Sequence, residues 1–430
     1  MIIQSISDVF YNDLCMGCGT CSAICPEQSI KLELNPKKGT YVPKIDAKKC
    51  NNCNKCYSVC PGYYVDFDSL NLEIFKKIPA NILIGNILEN YLGHSQNNYI
   101  RFNSSSGGVV TQLLITALEN GFIDGALVTR MKETNPLEAE PFIARTKKEI
   151  LESSKSKYCP VPSNEVLIEI LNSKKNEKFA IVGTSCQIQG IRKAQKINPI
   201  LKEKIVLCFG LFCGKRPTYI GTEFLMKTSN ISKKEISKLS YRGKGWPGYF
   251  SVEMKDNTKT DIPYTIAFSI LSLFTPKRCF LCNDGSSELA DISFADAWIP
   301  NLLKNNAGES MIIVRSEKGR NFINRIKNKN ISLKNIDNAE INSTSHEKML
   351  NFKKKSISAR LKILKFLGKE VPLYDNKQLL SPNSKDYVNS IISYIKYQIA
   401  MKKFLWPLMS FIIRRVIQSK KGIKLGERID

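Results

Sequence analysis

The chain has 430 residues, 43% of them hydrophobic, and carries 64 Lys and Arg against 39 Asp and Glu for a formal net charge of +25. This length and apolar content suit two or three packed domains and exclude an intrinsically disordered chain. No stretch approaches the roughly eighteen apolar residues of a spanning helix, and the N-terminus lacks a signal peptide's basic and apolar regions, so a cytoplasmic protein is expected. The positive charge is unevenly placed: residues 1–70 hold seven basic and seven acidic side chains, residues 341–430 nineteen and six. Lysines scattered among asparagines make a poor nucleic-acid stripe, so nucleic acid is not an expected partner.

In chain order, cysteines come first, with eight of the fourteen inside residues 15–60. Reduced cytosolic thiols that cluster are read as metal ligands and not as disulfides. "CMGCGTCSAICPE" and "CNNCNKCYSVCPG" each spell C-x2-C-x2-C-x3-C-P. Three closely spaced thiolates wrap one [4Fe-4S] cube, and the fourth, one helical turn further on, reaches the other cube. One cluster is therefore assigned to Cys15, Cys18, Cys21 and Cys60, the other to Cys50, Cys53, Cys56 and Cys25. Zinc knuckles are the bland alternative, but zinc has no need of the crossover. A ferredoxin-like α+β head is expected over 1–70, then a linker over 71–98.

From residue 99 to 340 the pattern alternates. "GGVVTQLLITALENG" predicts a helix stopped by Gly121, and "GALVTR" a strand. "EVLIEILNSKK" follows as helix, "KFAIVGTSCQ" as strand and turn, and "KIVLCFGLFCG" as a buried strand, an order that predicts an α/β domain with a largely parallel sheet. In "NSSSGGVVTQLL", Ser105, Ser106, Gly107 and Gly108 precede a helix, where backbone N–H groups meet a phosphate or simply form a capped loop. "IVGTSCQIQGIRK" repeats that arrangement, with Gly183 and Thr184 before Cys186. Residues 238–264 read as an inserted β-hairpin turning at Asp256-Asn257. Beyond 340 the pattern is helical and basic, ending in "KKFLWPLMSFIIRRVIQSKK". That segment is too short to span a bilayer and is interrupted by Pro407; a packed terminal helix is the default, and peripheral contact with an anionic membrane surface the alternative.

The ordered motifs "SSGGVVTQLL", "GFIDGALV", "SKYC", "IVGTSCQIQGIRK", "LFCGKRPT", "YRGKGWPGYF" and "CFLCNDGSSELADISFADAW" resemble the coenzyme F-420 hydrogenase/dehydrogenase beta-subunit family over about residues 10–300. The resemblance implies an FAD- and iron–sulfur-containing oxidoreductase that passes electrons between one-electron carriers and a hydride-carrying substrate. It implies flavin contacts at Ser105, Ser106, Gly107, Gly108, Lys157, Tyr158, Gly183 and Thr184. It also implies a third cluster on Cys186, Cys213, Cys279 and Cys282, leaving Cys208 as a core residue and Cys159 without a role.

This sequence departs from the family pattern at Ser185, usually proline, at Gly214, usually histidine, and at Ala295, usually glycine. With only His94 and His346 in the chain, proton transfer falls to groups such as Asp291, Asp296, Lys157 and Tyr158, and the catalytic residue stays open. The expected function is electron exchange between a ferredoxin or other redox protein and an organic substrate, a deazaflavin or another. The alternative is a non-catalytic electron-transfer subunit of a larger complex.

Overall fold

The computed structural model describes residues 3–299, 302, 306–326, 329–337, 346–423 and 425. In the head, β1 (Ile30–Asn35) and β2 (Thr40–Ile45) form an antiparallel hairpin beside the two cysteine loops. Each loop needs two left-handed residues: Gly17 (φ 60°) and Gly19 (φ 92°) in the first, Asn52 (φ 58°) and Asn54 (φ 55°) in the second. Glycine and asparagine adopt that conformation most cheaply. The choice between them follows the surroundings. A Cβ on Gly19 would lie 2.6 Å from the Glu165 amide nitrogen, and one on Gly17 2.7 Å from the Tyr41 carbonyl. The first loop is thus pressed against protein, whereas Asn52 and Asn54 are exposed.

The second body is built on an eight-stranded sheet of order β13-β3-β12-β11-β7-β6-β4-β5. Its strands are β3 (Glu89–Ser95), β4 (Gly125–Met131), β5 (Ala139–Ala144), β6 (Phe179–Thr184), β7 (Ile205–Leu211), β11 (Ile292–Asp296), β12 (Ser310–Val314) and β13 (Ile331–Asn335). Only the centre, β4-β6-β7-β11, is parallel, and all four outer pairings are antiparallel, so the sheet is mixed and not largely parallel. The link from β4 to β5, residues 132–138, is too short for a helical crossover, which forces reversal there. A second departure is β3, which lies inside the segment expected as linker. "ENYLGHS" carries too few apolar side chains to announce a strand, and its pairing with β12 and β13 supplies what its propensity does not.

Between β7 and β11 lies a separate antiparallel sheet of three strands, β8 (Ile236–Ser240), β9 (Tyr249–Met254) and β10 (Lys259–Pro263). The expected hairpin is β9–β10, turning at Asn257 (φ 64°), and "ISKLS" adds the extra strand. The helices used below are α1 (Val109–Glu119), α2 (Ser185–Ile197), α3 (Tyr219–Thr228), α4 (His346–Lys354), α5 (Ser356–Phe366), α6 (Ser384–Ala400) and α7 (Trp406–Lys421). Among the described residues no helix is long and apolar enough to cross a membrane.

Asp291 ties helix to sheet. It accepts from the Cys208 amide (2.8 Å) and from Ser316 Oγ (2.6 Å), and forms an ion pair with Arg192 Nη2 of α2 (3.0 Å), with both charged side chains buried. This saturated carboxylate is a structural group, which corrects its candidacy as proton donor. Asp291→Ala strands the buried guanidinium, so unfolding free energy should fall by about 3–5 kcal/mol, read as a lower urea midpoint in far-UV circular dichroism.

Candidate functional site

The head cysteines gather into two groups. Burial, with neighbouring cysteine charges added, pushes the Cys15 thiol up to about 12 and Cys60 up to about 11. Cys21 is raised by burial and then by Cys18, Cys15 and Cys60. The second group surrounds Cys56, raised by burial and by Cys25, Cys53 and Cys50. Its members line a cavity of about 720 Å³ at the surface, with Cys53 exposed. The structure thus brings Cys60 to the first motif and Cys25 to the second. A thiol must lose its proton to bind a metal, so cluster assembly on these raised thiols releases protons. Among the described residues no three Cys, His, Asp or Glu side chains converge tightly enough for a single ion. A four-iron cube spreads its thiolates wider than one ion does.

Four dispersed cysteines come together behind the head. Cys186 opens α2, Cys213 follows β7, and Cys279 and Cys282 flank the loop before β11. Burial, followed by the charge of Cys279, pushes Cys186 up to about 12, and Cys18 of the head adds to it. Cys213 is raised by burial and then by Cys279, Cys186 and Cys282. Cys186 therefore lies within electrostatic reach of the head cysteine Cys18. Cys208 lies apart in the sheet core, and Cys159 touches the Tyr219 and Tyr241 hydroxyls instead.

Two joints fix this group to the head. Arg278, fully buried, donates from Nε to the Gly62 carbonyl (2.5 Å), from Nη2 to the Pro61 carbonyl (3.0 Å) and from Nη1 to the Leu281 carbonyl (3.0 Å). Asn164 donates its amide to the Cys18 carbonyl (2.8 Å) and its Nδ2 to Thr20 Oγ1 (2.7 Å). Gly190 of α2 abuts that same Thr20 hydroxyl, leaving no space for a Cβ.

The charge balance of the group comes from further along the chain. Lys353 of α4 is 1% exposed, and its Nζ donates to the Cys279 carbonyl at 3.3 Å. Burial opposes its charge, yet Cys282, Cys213 and Cys279 outweigh burial and hold its pKa above the ordinary value. Arg360 of α5 is equally buried, lies 3.8 Å over the Phe352 ring, and has two N–H groups, Nε and Nη1, without a partner among the described residues. Buried cations this poorly partnered cost several kcal/mol each, roughly, unless an anionic group sits beside them. Four thiolates on a [4Fe-4S] core, net negative, fit that requirement.

Next to these cysteines is a cavity of about 420 Å³. Its wall includes Ser105, Ser106, Gly108, Lys157, Tyr158, Gly183 and Thr184, seven of the eight expected flavin contacts, together with Cys213. Gly107 is absent from the wall. A Cβ there would lie 2.5 Å from the Gly93 carbonyl, so this glycine serves the packing of the α1 entry on β3. Lys157 reaches the wall, but its ammonium is committed elsewhere: Nζ donates to the carbonyls of Ser153 (2.5 Å), Ser154 (2.8 Å) and Lys155 (3.1 Å), while burial pushes its pKa down to about 7. Ser105 and Ser106 are likewise partly engaged, Ser105 Oγ accepting from the Ser156 amide (2.7 Å) and Ser106 Oγ donating to the Glu309 carbonyl (2.6 Å). Thr184 caps α2 in a reciprocal pair with Gln187.

Sequence reasoning missed three groups on this wall. Arg242 pairs with Asp296 at 2.7 Å and lies 4.1 Å over the Tyr264 ring, whose hydroxyl is 3.0 Å from that of Tyr158. His346 comes from the C-terminal region, its Nε2 2.7 Å from the Asp296 carbonyl, and burial lowers its pKa. A Cβ on Gly214 would approach Met349, one turn along the same helix, to 3.3 Å. The C-terminal segment thus fills the space beside Gly214 and brings an imidazole to the cavity. The available signal was the scarcity of histidine in the chain.

Comparison with known proteins follows this architecture. Residues 14–62 match the model of a 4Fe-4S dicluster domain, 90–168 that of "Coenzyme F420 hydrogenase/dehydrogenase, beta subunit N-term", and 176–339 that of the same subunit's C terminus. A coenzyme F420-dependent sulfite reductase of Methanocaldococcus jannaschii is 25% identical over 81% of this chain, which spans about half (51%) of that relative's length. A coenzyme F420 hydrogenase subunit beta of Methanococcus voltae is 29% identical over 63% of this chain and 92% of its own. A chain in the solved F420-reducing [NiFe] hydrogenase complex of Methanosarcina barkeri shares the fold, with TM-score 0.53 and 23% identity, covering 69% of this chain and 99% of that one.

A cluster on the four dispersed thiols has two measurable consequences. Cys282→Ala should lose about four irons per chain and retain about eight, counted by iron assay on anaerobically purified protein. Lys353→Met should keep all the iron but shift one cluster's reduction potential downward, since a removed cation no longer favours the added electron; an EPR-monitored redox titration reads this.

Proposed function

The chain belongs to the coenzyme F420 hydrogenase/dehydrogenase beta-subunit family and carries a 4Fe-4S dicluster head, and on that footing we propose an iron–sulfur flavoprotein oxidoreductase. It exchanges electrons between a one-electron carrier protein and an organic hydride donor or acceptor. One observation carries this reading: the cysteine sets lie in series. The exposed Cys53 group is at the surface, the buried Cys60 group adjoins it, Cys186 links Cys18 to Cys279, and Cys213 belongs both to the four-cysteine group and to the cavity wall.

When bound, the clusters supply single-electron transfer and the flavin converts between single electrons and a hydride. The protein's own residues hold and enclose them. The left-handed Gly108 and the start of α1 present backbone N–H groups to the cavity, the arrangement that receives a phosphate. Phe268, Phe294 and Trp298 supply apolar walls that exclude water, and the Arg242–Asp296 pair fixes a charge and a hydrogen-bonding edge inside them. His346 and the Tyr158–Tyr264 pair are the titratable groups placed to hold or move a proton. A deazaflavin coenzyme, named in several relatives, is one candidate substrate. At the other end, the open second cysteine loop suits a ferredoxin or similar carrier.

Relatives named as subunits favour a second reading, a non-catalytic relay in a larger assembly. Both are tested on one anaerobic preparation. The oxidoreductase reading expects about twelve irons with bound FAD, and dithionite-reduced flavin reoxidised on adding a hydride acceptor. Full iron loading without any flavin would leave only the relay.

A further inference from the structure

The C-terminal helices α6 and α7 lie outside every region matched by the family models, which end at residue 339. They are seated on the body by one face each. Ser356 Oγ donates to Asp386 Oδ1 (2.5 Å) at the start of α6, and Ser390 Oγ to the Ser356 carbonyl (3.5 Å). Trp406 is buried at the start of α7, and Arg414 Nε donates to the Thr228 carbonyl at the end of α3 (2.7 Å). The remaining faces are apolar and open. Val388, Ile391, Ile392, Ile395 and Ile399 form one exposed stripe along α6, and Leu408, Phe411, Ile412 and Val416 another along α7. Both follow the three-and-four spacing of an amphipathic face.

Two tips add to these stripes. Phe366, 90% exposed, and Phe404, 77% exposed, are the most exposed large hydrophobic side chains described. Each stands in the same triplet, Lys365-Phe366-Leu367 and Lys403-Phe404-Leu405. The charge alongside is mainly positive: residues 387–421 hold seven Lys and Arg and no Asp or Glu, and Lys403 among them pairs with Glu223 of α3 at 3.3 Å. A protein partner's surface carries both signs and is met by both. Apolar stripes flanked by an excess of cations match a surface that is uniformly anionic over an apolar interior.

We propose that α6, α7 and the two Lys-Phe-Leu tips are a docking surface for an anionic lipid bilayer, on which the protein rests without crossing it. The proposal goes beyond the oxidoreductase reading and stands independently of it. It changes the expected account of the terminal helix: α7 is packed, yet by one face only.

The test is cosedimentation of the anaerobically purified, iron-loaded full chain with vesicles of phosphatidylcholine alone or mixed with phosphatidylglycerol. Binding is expected to the mixed vesicles only, weakening as salt rises. Lys396→Gln/Lys402→Gln/Arg415→Gln should weaken it roughly a hundredfold, from three lost contacts with the anionic surface. Phe404→Ser/Phe411→Ser should also weaken it at unchanged salt dependence. Unaltered iron content in both variants shows that they fold. No binding at low salt, or equal binding by wild type and both variants, overturns the proposal. So does lipid-free self-association that the same variants abolish, which would assign the stripes to a second copy of the chain.

Discussion

The structure depends on one buried guanidinium. Arg278 spends its N–H groups on the carbonyls of Pro61 and Gly62, directly after the last cysteine of the head, and on Leu281 within its own C-x-x-C loop. One side chain therefore sets Cys60 relative to Cys279 and Cys282. Electron transfer falls steeply with distance, so a head on a loose tether would serve poorly. Here the tether is replaced by hydrogen bonds to backbone and by the close approach of Gly19 and Gly190 to the facing element. The duplicated loop shows the same logic in reverse: its asparagines are affordable because nothing packs on them.

The C-terminal region packs against the four dispersed cysteines and the cavity beside them. Lys353 and Arg360 bring positive charge to four thiols, His346 joins the cavity wall, and Lys354 pairs with buried Glu288 at 2.8 Å. These contacts explain how a segment outside the matched family regions stays attached to the rest of the fold. They also explain why it tolerates so much positive charge: part of that charge faces inward to thiols, and part lies along the open faces of α6 and α7.

Much of this was legible in the sequence, for physical reasons. The cysteine spacing predicts its own partition because a short loop allows few ways to wrap a cube, and Gly121 stops α1 because it is free to take φ 67°. Other features were hidden. β3 reads as polar because an internal partner on either side, and not its own hydrophobicity, makes it a strand. Gly107 looked like a phosphate contact, since sequence cannot distinguish a glycine that faces a ligand from one that faces a carbonyl. Arg242, His346 and Lys353 were invisible as a group because they lie far apart in the chain and meet only through tertiary packing. Asp291 appeared chemically available until its partners Arg192 and Ser316 were seen.

The central claim is that the four dispersed cysteines form the station between head and cavity. It is tested most directly by stopped-flow bleaching of cavity-bound flavin after mixing with a reduced one-electron carrier, comparing wild type with Cys279→Ala. The account predicts that the variant keeps its flavin and both head clusters but loses rapid bleaching by orders of magnitude. Equal bleaching rates in the two proteins would contradict it.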